Sequence, residues 1–238
     1  MADARNKSRA HWEDPLGIFP WALSKLYTLW LRATYPFASM GRSVSIHYTF
    51  VVNRAMAHRI KLGNSVVIGK DVWLNIIPEA TDEVNIVIDD GCRIGARSWI
   101  SAKNQIHLER DVYLGPSVLI VDHGHAYEDP NVPIKKQPPM PGGRIRIERG
   151  CRIGQGAAIV CSGSQLVLGR NSVVGPNAVV LRSAPSYSVI EGNPGRVVER
   201  LAPSPPNPPS PSCLTGAMGP SSKSVEAPTP AAVSTESS

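Results

Sequence analysis

The fold is decided by a short stretch that occurs twice, as Gly91-Cys92-Arg93-Ile94-Gly95 and as Gly150-Cys151-Arg152-Ile153-Gly154. Around each copy an aliphatic residue returns every six positions, most often followed by Gly, Asp or Glu. Sets of this kind run from residue 60 to residue 180: Leu62, Ile68 and Leu74; Ile88, Ile94 and Ile100; Leu108, Leu114 and Ile120; Ile147, Ile153 and Ile159; and Leu168, Val174 and Val180. The repeats indicate a stack of similar units.

A six-residue period matches neither the 3.6-residue turn of a helix nor the alternation of a long strand. Each set also begins with an extra aliphatic residue two positions earlier, and this spacing is strand alternation. Together the two periods predict a triangular solenoid, in which each face is one short strand and each corner is a turn. Small residues four positions after the aliphatic ones, such as Cys92 and Ala157, suit a narrow interior.

Over residues 60–201 the sequence resembles the hexapeptide-repeat acyltransferases, which fold as a left-handed parallel β-helix. The resemblance includes the stretch Gly192-Asn193-Pro194-Gly195-Arg196-Val197-Val198, which is similar to the family's closing pattern. We therefore expect an all-β solenoid, a left-handed parallel β-helix of about five coils with an N-terminal helix and a disordered C-terminal tail. The left-handed sense is implied by the resemblance alone, because crossovers between parallel strands are usually right-handed.

The segments around the repeats differ in composition. Residues 1–14 are polar and basic and lack the apolar core of a secretory signal, so they predict a disordered N-terminus. Residues 41–201 hold the predicted β-helix acyltransferase domain, which is interrupted by a proline-rich loop at 122–143. Residues 203–238 are rich in Pro and Ser and predict a disordered tail.

Residues 15–40 are apolar and aromatic and predict an amphipathic helix, with its helical part from Pro20 to Arg32. That part is too short and too charged to cross a bilayer comfortably. In one interpretation the helix covers the open end of the solenoid. In the other, residues 20–35 lie at a membrane surface, and this peripheral contact would place the enzyme beside a lipid-linked glycan.

Charge and cysteine content limit the partners and the compartment. The net charge is +6, but the basic residues are scattered and no nucleic-acid-binding motif is present, so nucleic acid is not an expected partner. No pair among the four cysteines has the spacing of a metal site, and we expect no bound metal. Packed, reduced thiols predict a cytoplasmic protein, with peripheral attachment at the inner membrane face as the alternative.

The chemistry is expected in the loop that begins Asp122-His123-Gly124-His125. Transfer of an acyl group from a thioester to a hydroxyl needs a base, and a neutral imidazole can act at neutral pH. The resemblance implies His125 as this base, and His123 is the alternate. Asp122 or Glu128 would hold the imidazole through its other nitrogen. We expect no covalent intermediate, because no Ser or Cys lies in a nucleophile motif.

The resemblance also implies acetyl-CoA as the acyl donor, held along the corners of the last coils. The matching corner positions are Gln155 and Pro176, and the basic residues near the phosphates are Arg182 and Arg196. It further implies a homotrimer in which the loop histidine faces the adjacent subunit.

These inferences predict an acetyl-CoA-dependent O-acetyltransferase that acts on a sugar or glycan hydroxyl, in polysaccharide biosynthesis or modification. Three alternatives remain open at this point. One is N-acetylation of an amino sugar, and another is a non-catalytic scaffold. The third is a metal lyase similar to the γ-carbonic anhydrases, which needs three histidines such as His107, His123 and His125 around a zinc ion.

Overall fold

A computed structural model of the chain describes residues 15–78, 83–138 and 140–201. The predicted disordered ends, residues 1–14 and 203–238, lie outside the described residues. A helix, α1 (Pro15–Thr34), precedes a series of short strands. In chain order these are β1 (Ser39–Met40), β2 (Ser45–Ile46), β3 (Val51–Val52), β4 (Ile60–Leu62), β5 (Val67–Ile68), β6 (Trp73–Ile76), β7 (Ile86–Ile88), β8 (Arg93–Ile94), β9 (Trp99–Ala102), β10 (Gln105–Leu108), β11 (Tyr113–Leu114), β12 (Leu119–Val121), β13 (Arg144–Ile147), β14 (Arg152–Ile153), β15 (Ala158–Val160), β16 (Gln165–Leu168), β17 (Val173–Val174), β18 (Val179–Val180), β19 (Ser188–Glu191) and β20 (Arg196–Arg200). Two 3₁₀ helices, Arg54–Arg59 and Ile134–Lys136, lie between strands.

Within the described residues the strands form three sheets, one for each face of a triangular solenoid. Sheet 1 has the strand order β1-β4-β7-β10-β13-β16. Sheet 3 has the strand order β3-β6-β9-β12-β15-β18. Sheet 2 runs β2-β5-β8-β11-β14-β17 and is extended by β19 and the antiparallel β20. Each coil gives one strand to each sheet, so the predicted parallel β-solenoid is confirmed. Residues 39–52 add a further coil before those predicted.

The core is a set of aliphatic ladders inside the prism. One ladder on sheet 1 joins residues that occupy the same register position in successive coils and are almost fully buried: Ile60, Ile86, Ile106, Ile145 and Leu166. Burial of these side chains supplies the main favourable free energy of such a fold. Thiols at small inward positions are equally buried, and this burial raises the pKa of Cys92 to about 12 and that of Cys151 to about 11.

Helix α1 packs on the first coil. The Thr28 hydroxyl accepts a hydrogen bond from the Ile46 backbone N–H (3.0 Å). The Tyr27 hydroxyl donates to the Phe50 carbonyl (3.2 Å), and Leu31 is fully buried. These are the contacts that the covering interpretation requires.

The helix begins at Pro15, earlier than the predicted Pro20, because a proline is well tolerated in the first turn. It also continues past Arg32 to Thr34. In the described part of the chain, no helix has the length and apolar character needed to cross a membrane.

Candidate active site

The loop between β12 and β13 carries the candidate catalytic residues, and backbone hydrogen bonds join its first and last parts. The Met140 backbone N–H donates to the Gly124 carbonyl (2.9 Å), and the Ala126 N–H donates to the Pro138 carbonyl (3.2 Å). The loop is therefore folded on itself and presents its first residues in a defined position.

Two residues of the preceding coil hold the base of the loop. Lys103 Nζ donates to the Met140 carbonyl (2.7 Å). Asn104 Nδ2 donates to the Pro141 carbonyl (3.0 Å). Because Lys103 and Asn104 directly follow β9, the loop is fixed to the solenoid itself.

Asp122 lies at the start of this loop and is fully buried. Its Oδ1 accepts a hydrogen bond from the Lys103 backbone N–H (2.7 Å), and its Oδ2 accepts from the Asn104 N–H (2.9 Å). The Oδ1 atom also lies 3.0 Å from His123 Nδ1. Three donors thus satisfy the buried carboxylate and fix its orientation.

His123 is the histidine that this carboxylate orients. Since the Asp122 carboxylate can only accept, the 3.0 Å contact assigns the ring proton to Nδ1 and leaves the Nε2 lone pair available. The His123 side chain is 11% exposed, so the ring is held in place and still reaches the surface. A buried carboxylate beside an oriented imidazole is the arrangement that general-base catalysis requires.

His125 and Glu128 lie further along the loop and are exposed. Among the described residues no hydrogen bond to the His125 ring is found, whereas the Glu128 carboxylate accepts from the Tyr127 backbone N–H (3.0 Å). The structure therefore brings Asp122 to His123 and leaves Glu128 apart from both loop histidines. The assignment of the base to His125 or His123 stays a prediction, and the geometry favours His123.

A buried thiol lies beside this pair. Strand register places Val121 opposite Val160, so Asp122 is followed on the next coil by Cys161. Burial raises the pKa of the Cys161 thiol, and the charge of Asp122 raises it further. The thiol is thus kept protonated, which disfavours a role as a nucleophile.

The corner after sheet 3 also carries Arg182, one of the predicted cofactor residues. The strand pairing here ends with Ile159 and Val180, and Arg182 comes two residues after Val180, just as Cys161 comes two residues after Ile159. Asp122 and Arg182 therefore each come just after a strand of sheet 3.

Arg182 and Arg196 line one cavity of about 230 Å³ at this end of the solenoid. The Gly195 N–H donates to the Val179 carbonyl (2.7 Å), and this bond ties the residue before Arg196 to β18 of sheet 3. Gln155 and Pro176 do not line the cavity. They stack on adjacent turns between sheets 2 and 3, where the Asn177 N–H donates to the Gln155 carbonyl (2.9 Å).

In the described part of the chain, the three histidines considered for a zinc lyase do not come together. His107 lies on β10 of sheet 1, where its Nε2 is 2.9 Å from Asp89 Oδ2, whereas His123 follows β12 of sheet 3. In residues 15–78, 83–138 and 140–201 no group of three His, Cys, Asp or Glu side chains is placed to hold a metal ion.

No family model matches the sequence. A probable acetyltransferase of Mycobacterium tuberculosis is 27% identical over 203 residues, which are 77% of this chain and 62% of that protein. A serine acetyltransferase of the same organism is 31% identical over 121 residues, which are 51% of this chain and 48% of that protein. The chain thus spans about half to three fifths of the length of the curated relatives it matches.

Solved structures share the fold. An N-acyltransferase of Bacillus cereus, AntD, bound to dTDP-4-amino-4,6-dideoxyglucose and coenzyme A, has a TM-score of 0.61 at 18% identity, covering 74% of this chain and 90% of that chain. A hexapeptide-repeat-containing acetyltransferase of Vibrio cholerae, bound to acetyl coenzyme A, has a TM-score of 0.51 at 16% identity, covering 80% and 92%. The fold expected from the resemblance to hexapeptide-repeat acyltransferases is confirmed.

Proposed function

We propose that the chain is an acetyl-CoA-dependent O-acetyltransferase that acts on a hydroxyl of a sugar or glycan. The observation that carries this proposal is the Asp122–His123 pair, which stands on the same corner as Arg182. The acetyltransferase relatives support acetyl transfer, and the coenzyme A in the two solved structures supports acetyl-CoA as donor. The amino-sugar nucleotide bound to AntD supports an acceptor of the sugar class.

In this proposal His123 is the general base. Its Nε2 takes the proton of the acceptor hydroxyl as the oxygen attacks the thioester carbonyl carbon. The new carbon–oxygen bond forms, the carbon–sulfur bond breaks, and the electron pair leaves with the sulfur. His123 then returns the proton to the sulfur, so the products are an acetyl ester and free coenzyme A. Asp122 stabilises the imidazolium between the two proton transfers.

The choice of a hydroxyl rests on the oriented base. A neutral hydroxyl is a poor nucleophile at neutral pH, and a fixed imidazole with a carboxylate partner can remove its proton during attack.

The test is a screen that measures coenzyme A release with several acceptors. These are sugars, nucleotide sugars that differ only in a hydroxyl or an amino group, lipid-linked glycans and L-serine. We expect an alkali-labile acetyl ester on a sugar. An amide product alone would support the N-acetyl alternative, and no release above hydrolysis would contradict acetyl transfer.

Arg182 and Arg196 are proposed to hold the phosphates of acetyl-CoA. Replacing either by Ala removes a charge-assisted contact worth about 1–3 kcal/mol, so the Kd for acetyl-CoA should rise roughly 5- to 160-fold with little change in the chemical step. Calorimetric titration measures this Kd. The matched control is Arg200→Ala, because Arg200 is exposed on β20 and lies outside the cavity. An unchanged Kd in both cavity variants would place the cofactor elsewhere.

The outer face of sheet 3 is proposed as the contact between subunits of a homotrimer. Its outward ladder is apolar in every coil: Val51, Trp73, Trp99, Leu119, Ala158 and Val179. The Trp73 and Trp99 rings stack at 4.7 Å and are about two-fifths exposed. The corresponding ladder on sheet 1 includes Lys61, His107 and Arg146. The ladder is exposed at Val51, Trp73 and Trp99 and half-buried in the later coils, and an apolar stripe of this kind is typical of a protein interface. His123 comes two residues after β12 of this sheet.

Trp99→Glu should therefore dissociate the trimer, because a carboxylate would be buried without a partner in the contact. Light scattering after size exclusion measures the mass. Tyr113→Glu is the control, since Tyr113 is an outward aromatic residue of similar exposure on sheet 2. A wild-type monomer with full activity would contradict the assembly, as would a Trp99→Glu variant that stays trimeric.

A further inference from the structure

Helix α1 turns an apolar face away from the solenoid. Phe19 is 73% exposed, Leu26 65%, Leu29 62% and Trp30 51%. Leu26, Leu29 and Trp30 follow the i, i+3, i+4 spacing, and Phe19 lies seven residues before Leu26, so all four belong to one side of the helix. A surface helix normally hides its apolar stripe, so this face needs a partner.

The opposite side of the helix is already used. Thr28 bonds to Ile46, and Leu31 is fully buried against the first coil. Arg32 Nη2 donates to the Gly41 carbonyl (2.6 Å) and ties the last turn of the helix to the start of the coil. The helix cannot turn its exposed side inward without losing these contacts. The apolar face is therefore presented outward by a fixed support.

The helix and the coil that follows it carry basic residues and no acidic ones, although Glu13 and Asp14 directly precede the helix in the sequence. Residues 15–70 contain no Asp or Glu. The basic residues of this segment that are exposed are Lys25, Arg32, Arg42, Arg54, Lys61 and Lys70, and the last lies 4.0 Å from Asp71. The whole chain has 25 basic and 19 acidic residues, so this concentration of one sign is a local property of the end that carries α1.

We propose that this end of the solenoid binds the surface of an anionic phospholipid bilayer, with Phe19, Leu26, Leu29 and Trp30 inserted among the acyl chains. Aromatic and leucine side chains on one helix face, with Lys and Arg around them, match an interfacial helix. The basic residues contact the phosphate headgroups. A second copy of the chain fits this surface poorly, because two such ends would oppose like charges.

The test is co-sedimentation of the full chain with vesicles of phosphatidylcholine alone and with about 30 mol % phosphatidylglycerol, a typical anionic lipid. We expect the bound fraction at low salt to be on the order of tenfold higher with the anionic lipid, and to fall at high salt. Binding that is absent from the anionic vesicles would overturn the proposal.

Leu26→Glu and Leu29→Glu separate insertion from simple charge attraction. Each places a carboxylate on the apolar face and should lower the bound fraction on the order of tenfold, with an unchanged melting temperature because both side chains are more than three-fifths exposed. Val198→Glu is the control, since Val198 is 58% exposed at the other end of the chain's described part. Vesicle binding equal to wild type in both helix variants would overturn the proposal. If the wild type did not bind vesicles and the helix variants changed the oligomeric mass, the apolar face would be assigned to a protein contact.

Discussion

Replacement of His123 by Ala is expected to lower acetyl transfer by a factor of about 10²–10⁴, the usual contribution of a general base. The Kd for acetyl-CoA should be nearly unchanged, because the proposed phosphate contacts come from Arg182 and Arg196. The loss should appear equally in kcat and kcat/KM, since the proton transfer occurs only in the transition state. Steady-state kinetics with the acceptor found in the screen measures both.

The matched control is His125→Ala in the same loop. His125 is exposed, and its replacement should cost much less than that of His123. An active His123 variant beside an inactive His125 variant would reverse the two roles. Full activity in both would contradict a loop histidine as base.

Asp122→Asn should be almost as damaging, with a loss of roughly 10²–10⁴ in kcat. The carboxylate accepts from two backbone N–H groups and from His123 Nδ1, and an amide nitrogen in its place would oppose one of these donors. The imidazole would then lose the partner that fixes its tautomer. Kinetics and thermal melting measure the two consequences separately.

Asp129→Asn is the control for this second experiment. Asp129 is exposed in the same loop and its Oδ1 accepts from the Asn131 backbone N–H (2.9 Å) without contact to a histidine. It should keep wild-type kcat. If Asp122→Asn were fully active and folded, Asp122 would serve only to hold the loop, and the imidazole would need no carboxylate.

The solenoid was predictable because its determinants are local and periodic. An inward aliphatic residue every six positions specifies strand, corner and coil at once. The extra first coil carries the same period in Met40, Ile46 and Val52, which pair with Leu62, Ile68 and Leu74. The sequence did not predict this coil because Met40 stands where the other sets have Leu or Ile. In addition, α1 precedes the coil, so no earlier repeat supports the pattern.

The site was less predictable, because it depends on contacts between coils. The alternation that buries Ile120 also points Asp122 inward, so a buried carboxylate could have been read from the sequence. Its donors, the N–H groups of Lys103 and Asn104, lie on the preceding coil, and no local pattern shows that they meet it. Arg196 reaches the corner only through the antiparallel β20, which departs from the six-residue period.

The most direct test of the account is an experimental structure of the full chain with acetyl-CoA. We expect the cofactor along the corner after sheet 3, with its phosphates at Arg182 and Arg196. Its thioester should lie beside the Asp122–His123 pair. An acceptor oxygen at His123 should then be able to approach the thioester carbonyl carbon to roughly 3–3.5 Å. A thioester placed beside His125 and away from His123, or a cofactor bound along a different corner, would contradict it.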